Sequence, residues 1–89
     1  MPELGPDEEI ELVLRIGEGD QEAITDFFNA YSPYLLAALS RFFPMLSRED
    51  IEEICQDAFF KAIRSIGSYD ETKSRLVTWL FRIARNCAI

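Results

Sequence analysis

Between Ser74 and Ile89 the chain reads S-R-L-V-T-W-L-F-R-I-A-R-N-C-A-I, and its apolar residues recur at a period that an α-helix satisfies. At about 100° per residue, Leu76, Val77, Leu80, Ile83, Ala84, Cys87 and Ala88 share one broad arc. Arg75, Thr78, Arg82, Arg85 and Asn86 fall on the opposite arc, with Trp79, the only tryptophan, on the border. A solvated face carrying arginines, an amide and a large ring can meet phosphates, base edges and unstacked bases. An ordinary basic surface with Trp79 tucked into the core would show the same pattern. Spacing alone leaves both readings open.

The rest of the chain repeats the helical period. Met1 to Pro6, with two prolines and a glycine, reads as a flexible leader. Asp7 is expected to cap a first helix carrying Ile10, Leu12, Val13, Leu14 and Ile16, which Gly17 to Gly19 should end. Asp20 caps a second helix with Ile24, Phe27, Phe28 and Tyr31 on one side. Ser32-Pro33 then either breaks that helix or bends it before Leu35, Leu36, Leu39, Phe42 and Phe43. Ser47-Arg48-Glu49-Asp50 resembles a capping box. It opens a third helix, Arg48 to about Ile66, with Ile51, Ile54, Cys55, Ala58, Phe59, Ala62, Ile63 and Ile66 as its apolar stripe. Gly67 should end it, and Ser68 to Lys73 should form a polar loop. No strand alternation, repeat or low-complexity tract appears. The expected class is all-α: a compact bundle of three to five helices, one domain over residues 7–89.

Charge is distributed unevenly. The net charge of −7 hides a first part, residues 1–57, with 14 acids and 3 bases, and a second part, residues 58–89, with 2 acids and 6 bases. An acidic half joined to a basic half suggests two different partners. Along the third helix the acids come first and Lys61 and Arg64 last, an order that helix-dipole complementarity alone would also produce.

Several chemistries are excluded. The chain has no histidine, so neither a Cys–His metal site nor a Cys–His catalytic pair can be built from Cys55 and Cys87. Both cysteines sit at apolar positions and read as buried free thiols. There is no glycine-rich phosphate loop. No cofactor or metal is expected, and the chain reads as a binding module rather than an enzyme. The acidic N-terminus lacks the apolar segment of a secretory signal, no apolar run reaches membrane-spanning length, and a cytoplasmic location is expected.

Three separated stretches, in order, resemble a known family: E-L-V-L-R-I-G-E-G-D-Q-E-A from Glu11, D-I-E-E-I-C-Q-D-A-F-F-K-A-I-R-S-I-G-S-Y-D from Asp50, and T-W-L-F-R-I-A-R-N from Thr78. Together they are similar to region 2 of the bacterial sigma factors, the extracytoplasmic-function (ECF) group above all, from about Asp7 to Ile89. The resemblance implies a helical bundle that docks on the RNA polymerase core and recognises and helps open the promoter minus-ten element. It implies that Asp50, Glu53, Gln56 and Asp57 face the clamp helices of the polymerase β′ subunit. It implies that the loop Ser68–Ser74 holds a flipped-out base of the non-template strand. Trp79 would stack at the upstream edge of the melted region. Arg75, Arg82 and Arg85 would meet phosphates, with Thr78 on the same face, and Asn86 would suit an adenine edge. Lys61, Arg64 and Lys73 would add backbone contacts. Tyr69 stands at the position of a family aromatic, either as a DNA contact or as a pin holding the loop to the core.

Lys73-Ser74-Arg75-Leu76-Val77 departs from the family's small-aromatic run, with Leu76 in place of an aromatic. Family members also carry a second domain, region 4, so this chain is expected to be a shortened form of a longer protein. They are commonly held by an anti-sigma factor, an expected further partner. A module that binds polymerase or an anti-sigma factor without reading DNA is the competing reading. It would allow Trp79 to be fully buried and the arginines to be paired with acids.

Overall fold

Local signals start each of the first three helices, and a distant one starts the fourth. The computed structural model describes residues 4–88; residues 1–3 of the expected leader, and Ile89, lie outside them. Helix α1 spans Pro6–Gly17, α2 Gln21–Phe42, α3 Arg48–Arg64 and α4 Leu76–Ala88, with a 3-10 turn at Ile66–Ser68. No strand occurs among the described residues, and the fold is all-α.

Helix α1 starts earlier than its sequence suggests. Gly5 is its cap and Pro6 its first residue, because a proline there has its φ preset and no N–H to satisfy. Asp7 is therefore not the cap. It lies in the first turn with Glu8 and Glu9, where the helix dipole favours acids. The Gly5 N–H donates to Glu8 Oε1 at 3.1 Å. Residues 4–6, part of the expected leader, are placed against the body of the protein: Leu4 packs on the core. Gly19 takes the left-handed conformation (φ 83°) that turns the chain into α2. Asp20 caps α2, its Oδ1 accepting from the N–H groups of Glu22 (3.0 Å) and Ala23 (3.3 Å). Its other oxygen accepts from Arg15 Nε at 3.0 Å, which holds the Asp20 carboxyl below its ordinary range.

Pro33 does not break α2. The helix runs unbroken through it, with Pro33 on its exposed side. Proline cannot donate to the carbonyl of Asn29 one turn back, but Asn29 is exposed and water can serve that carbonyl. Phe43 closes α2 through its N–H to the Leu39 carbonyl at 2.8 Å, and Pro44 prevents continuation. Ser47 Oγ then accepts from the Asp50 N–H at 3.1 Å and starts α3. That helix ends two residues before the expected Ile66. Ser65 Oγ donates to the Lys61 carbonyl (2.7 Å), and the chain tightens into the 3-10 turn that buries Ile66.

The core lies where α2, α3 and α4 meet. Phe27, Tyr31, Leu35 and Leu39 from α2 join Ile51, Cys55, Ala58, Phe59 and Ala62 from α3 and Leu76, Leu80 and Ala84 from α4. Phe27 is its hinge, with its ring 5.3 Å from Tyr31 and 5.1 Å, edge to face, from Phe59. Helix α1 adds Leu12 and Ile16. Leu14, expected on its apolar side, is exposed. The buried stripe of α1 is instead Glu9, Leu12 and Ile16, at three- and four-residue spacing.

Glu9 is thus an acid on a core stripe, 2% exposed. Its Oε2 accepts from the Tyr31 hydroxyl (3.1 Å) and from Arg75 Nη2 (3.1 Å). Its Oε1 accepts from Arg75 Nε (3.0 Å) and from the Leu76 N–H (3.3 Å). Leu76 is the first residue of α4, so a carboxylate of α1 supplies a cap that the local sequence lacks. Arg75 Nη2 also donates to the Leu4 carbonyl at 2.9 Å. Burial, and then the negative charge of Glu9, push the Tyr31 hydroxyl well above its ordinary pKa, which keeps it a donor.

Two tests follow from this core. Glu9→Ala strips the acceptor from a buried hydroxyl and a helix amide and is expected to lower unfolding free energy by about 3 kcal/mol. Tyr31→Phe, which removes one donor of four, should cost about 1 kcal/mol; urea titrations of both variants give the order. Burial raises the Cys55 thiol to about 11, so its reactive thiolate is scarce at neutral pH. Alkylation of the native chain at pH 8 should label the half-buried Cys87 first, and Cys55 only as pH rises or the protein unfolds, as peptide mass mapping would read.

Candidate nucleic-acid and protein-docking faces

Helix α4 buries Leu76, Leu80 and Ala84 and presents the opposite side to solvent. Thr78, Arg82, Arg85 and Asn86 are all exposed there. Neither Arg82 nor Arg85 forms an ion pair among the described residues. Two aromatic pairs border this strip. On one side Trp79 is half-buried, its ring 5.4 Å from that of Tyr69 and tilted by 60°. On the other side Phe81 meets Phe42 edge to face at 5.6 Å. The expectations of a border position for Trp79 and an exposed arginine face are met together on one helix. Such a strip offers two guanidinium groups for phosphates, an amide for a base edge and a partly open ring for stacking.

Arg75 departs from the expectation that placed it among the phosphate contacts. Its guanidinium is bound to Glu9, and that hydrogen bond raises its already high pKa. It braces the start of α4 instead. The loop before it is also organised. Tyr69 is half-buried and donates its hydroxyl to the Ser74 carbonyl at 2.7 Å, so it pins the loop across its own span. Burial raises the Tyr69 pKa, in keeping with a hydroxyl that stays protonated. Asp70 Oδ1 accepts from the Thr72 hydroxyl (2.6 Å) and N–H (2.9 Å), which holds the Asp70 carboxyl below its ordinary range. The Lys73 N–H closes that turn on the Asp70 carbonyl at 3.1 Å. Lys73 points its charge to solvent, and Ser74 is half-buried. The loop reaches α4 already folded.

The second face is on α3. Asp50, Glu53, Gln56 and Asp57 are all exposed, at three- and four-residue spacing on the side away from the core. Arg48 bridges Glu52 at 3.3 Å near the start of this side. Lys61 and Arg64 are exposed one to two turns further on. Arg64 lies over the Phe60 ring on α3, 5.6 Å from its centroid. Three residues escaped the sequence reading. Glu9 was legible as an acid on the stripe of Leu12 and Ile16. Phe81 was legible by its step of one residue beyond Leu80, and Phe60 by lying off the stripe of Phe59.

The sigma-70 region 2 family profile matches residues 27–89. An ECF RNA polymerase sigma-E factor of Haemophilus influenzae is 39% identical over 77 residues, which cover 86% of this chain and 39% of the relative. The ECF RNA polymerase sigma-E factors of Escherichia coli (36%) and Salmonella typhi (35%) match over the same share of this chain. The chain therefore spans about two-fifths of the length of these curated relatives. No solved structure matches it. The four-helix architecture, the two solvated faces and these likenesses agree, and the chain belongs to the sigma-70 region 2 family, with ECF sigma factors as its relatives.

Proposed function

We propose that this chain is the part of a transcription initiation factor that docks on the RNA polymerase core through α3 and reads the promoter minus-ten element through α4. One observation carries the DNA side. In a chain of net charge −7, Arg82, Arg85 and Asn86 stand exposed on one helix face beside a partly open Trp79, and among the described residues no acid pairs with the two arginines. Trp79 stacks at the edge of the melted bases, Arg82 and Arg85 hold phosphates, and Thr78 and Asn86 meet base edges. Ser74, Lys73 and Tyr69 shape the loop against a non-template base. Lys61 has room for a backbone contact.

The polymerase side rests on the α3 face. Asp50, Glu53, Gln56 and Asp57 suit a basic partner helix, such as the clamp helices of β′, with the acids setting encounter rate and register. An anti-sigma factor would cover the same surfaces. The competing reading, a docking module without DNA contacts, takes support from Arg75, which is paired as that reading expects. It finds none in Arg82, Arg85 or Trp79. No helix among the described residues is long and apolar enough to cross a membrane.

Binding of the whole chain to single-stranded oligonucleotides carrying varied minus-ten-like hexamers tests the DNA side, with and without polymerase core and at two salt concentrations. Trp79→Ala should weaken the preferred sequence by about 1–3 kcal/mol. Arg82→Ala should weaken all sequences alike and flatten the log–log salt slope by about 1. Equal affinity for every hexamer, unchanged by Trp79→Ala, would remove the DNA-reading role. For the docking side, Gln56→Ala with Asp57→Lys should slow association with core about tenfold while the circular dichroism stays unchanged.

A further inference from the structure

Arg75 stands between the buried Glu9 and the strip on α4. Its Nε and Nη2 donate to the two oxygens of the Glu9 carboxylate, at 3.0 and 3.1 Å, and Nη2 also donates to the Leu4 carbonyl at 2.9 Å. The Arg75 side chain is nevertheless 42% exposed, against 2% for Glu9. A planar fork held by three hydrogen bonds has little freedom to turn. The residues on either side of it are held as well. The Ser74 carbonyl accepts from the Tyr69 hydroxyl at 2.7 Å, and the Leu76 N–H donates to Glu9 Oε1 at 3.3 Å. The main chain of Arg75 carries the connection onward. Its carbonyl accepts from the N–H groups of Thr78 and Trp79, both at 3.1 Å. The Trp79 ring closes the circuit by packing on Tyr69, 5.4 Å between centroids. One residue thus ties α1 by its guanidinium, and the first two residues of the α4 strip by its carbonyl.

We propose that Glu9 and Arg75 are positioning residues for base selection: they fix the Tyr69–Ser74 loop and the Trp79 ring in the geometry that prefers one base sequence over others. This rests on the DNA reading above and adds to it two residues that touch no base. The reason is a difference in how interactions depend on geometry. Stacking and base-edge hydrogen bonds weaken with small errors of distance and angle, whereas attraction to phosphates follows charge. Loosening the start of α4 therefore costs discrimination before it costs attraction. The pairing also keeps Arg75 out of the phosphate contacts. Those fall to Arg82 and Arg85, which hold every sequence alike. Both partners of the pair are needed. A lysine at position 75 supplies a point charge instead of a fork. A glutamine at position 9 keeps the shape of the side chain but turns one acceptor into a donor facing the guanidinium.

The experiment compares the whole chain with Arg75→Ala, Arg75→Lys, Glu9→Gln and Tyr31→Phe. Tyr31→Phe removes a donor from the same carboxylate but none that holds α4, and so controls for stability. One readout is acrylamide quenching of Trp79, the only tryptophan, in the protein without DNA. The other is the ratio of affinities for the preferred minus-ten-like hexamer and its scrambled form, with polymerase core present and at two salt concentrations. Arg75→Ala and Glu9→Gln are expected to increase the quenching and to shrink the ratio roughly tenfold, with the salt slope unchanged. Arg75→Lys should recover part of both, and Tyr31→Phe should move neither. Circular dichroism identifies any variant that does not fold. Arg75→Lys, which keeps a cation opposite Glu9, carries the test if the others fail there. A loss equal for both sequences, with the log–log salt slope flatter by about 1, would make Arg75 a phosphate contact and overturn the proposal. An unchanged ratio in the folded Arg75 variants would overturn it too, as would an equal loss in Tyr31→Phe. These outcomes leave the DNA reading standing, whereas an unaltered chain that prefers no hexamer overturns both.

Discussion

A carboxylate removed from water must find its donors inside the protein, and Glu9 finds them on two other elements of the chain. The Tyr31 hydroxyl comes from α2, and the Arg75 guanidinium and Leu76 amide come from the start of α4. A buried ion pair is often a weak contributor to net stability, since desolvation cancels much of the attraction. Its effect here is on geometry. The hydrogen bonds fix where α4 begins and which way its first turn faces. The loop from Tyr69 to Ser74 is then closed by its own bonds, Tyr69 to Ser74 across its span and Thr72 to Asp70 within it. The exposed strip of α4 owes its orientation to an acid that never meets solvent.

The same arrangement sorts the arginines of the last helix. Arg75 is paired from within, whereas Arg82 and Arg85 are exposed with no ion-pair partner among the described residues. A chain with so many acids would repel nucleic acid at long range. Arg82 and Arg85 lie on one helix and Asp50, Glu53 and Asp57 on another, which keeps these two faces from cancelling one another.

Much of this was legible in the sequence. The period of Leu76, Leu80 and Ala84 placed the α4 core face, and Asp20 and Ser47 marked two helix starts through one local rule. Local rules ended where tertiary contacts decided. Pro33 left the continuity of α2 open, because packing of Tyr31, Leu35 and Leu39 on one buried side outweighs one missing hydrogen bond. Asp7 looked like the cap of α1, but Pro6 claims the first helical position. Arg75 fell on the polar arc of α4, yet an acid 66 residues away holds it. Leu14 and Phe28 matched an apolar period and remain exposed, because the bundle has too few helices to cover every side of α1 and α2.

The Glu9 contact also dictates an order of assembly. Helices α1 and α2 are neighbours in sequence, joined by the Arg15–Asp20 turn, and they can meet with little loss of chain entropy. The bonds from residue 9 to residues 75 and 76 close nearly the whole chain. Such a closure comes late, after the intervening helices have shortened the distance to be spanned. On a ribosome α1 emerges first and its carboxylate must wait for the last helix to arrive. The exposed strip of α4 is therefore completed last, and a nascent chain cannot present it before α3 already exists.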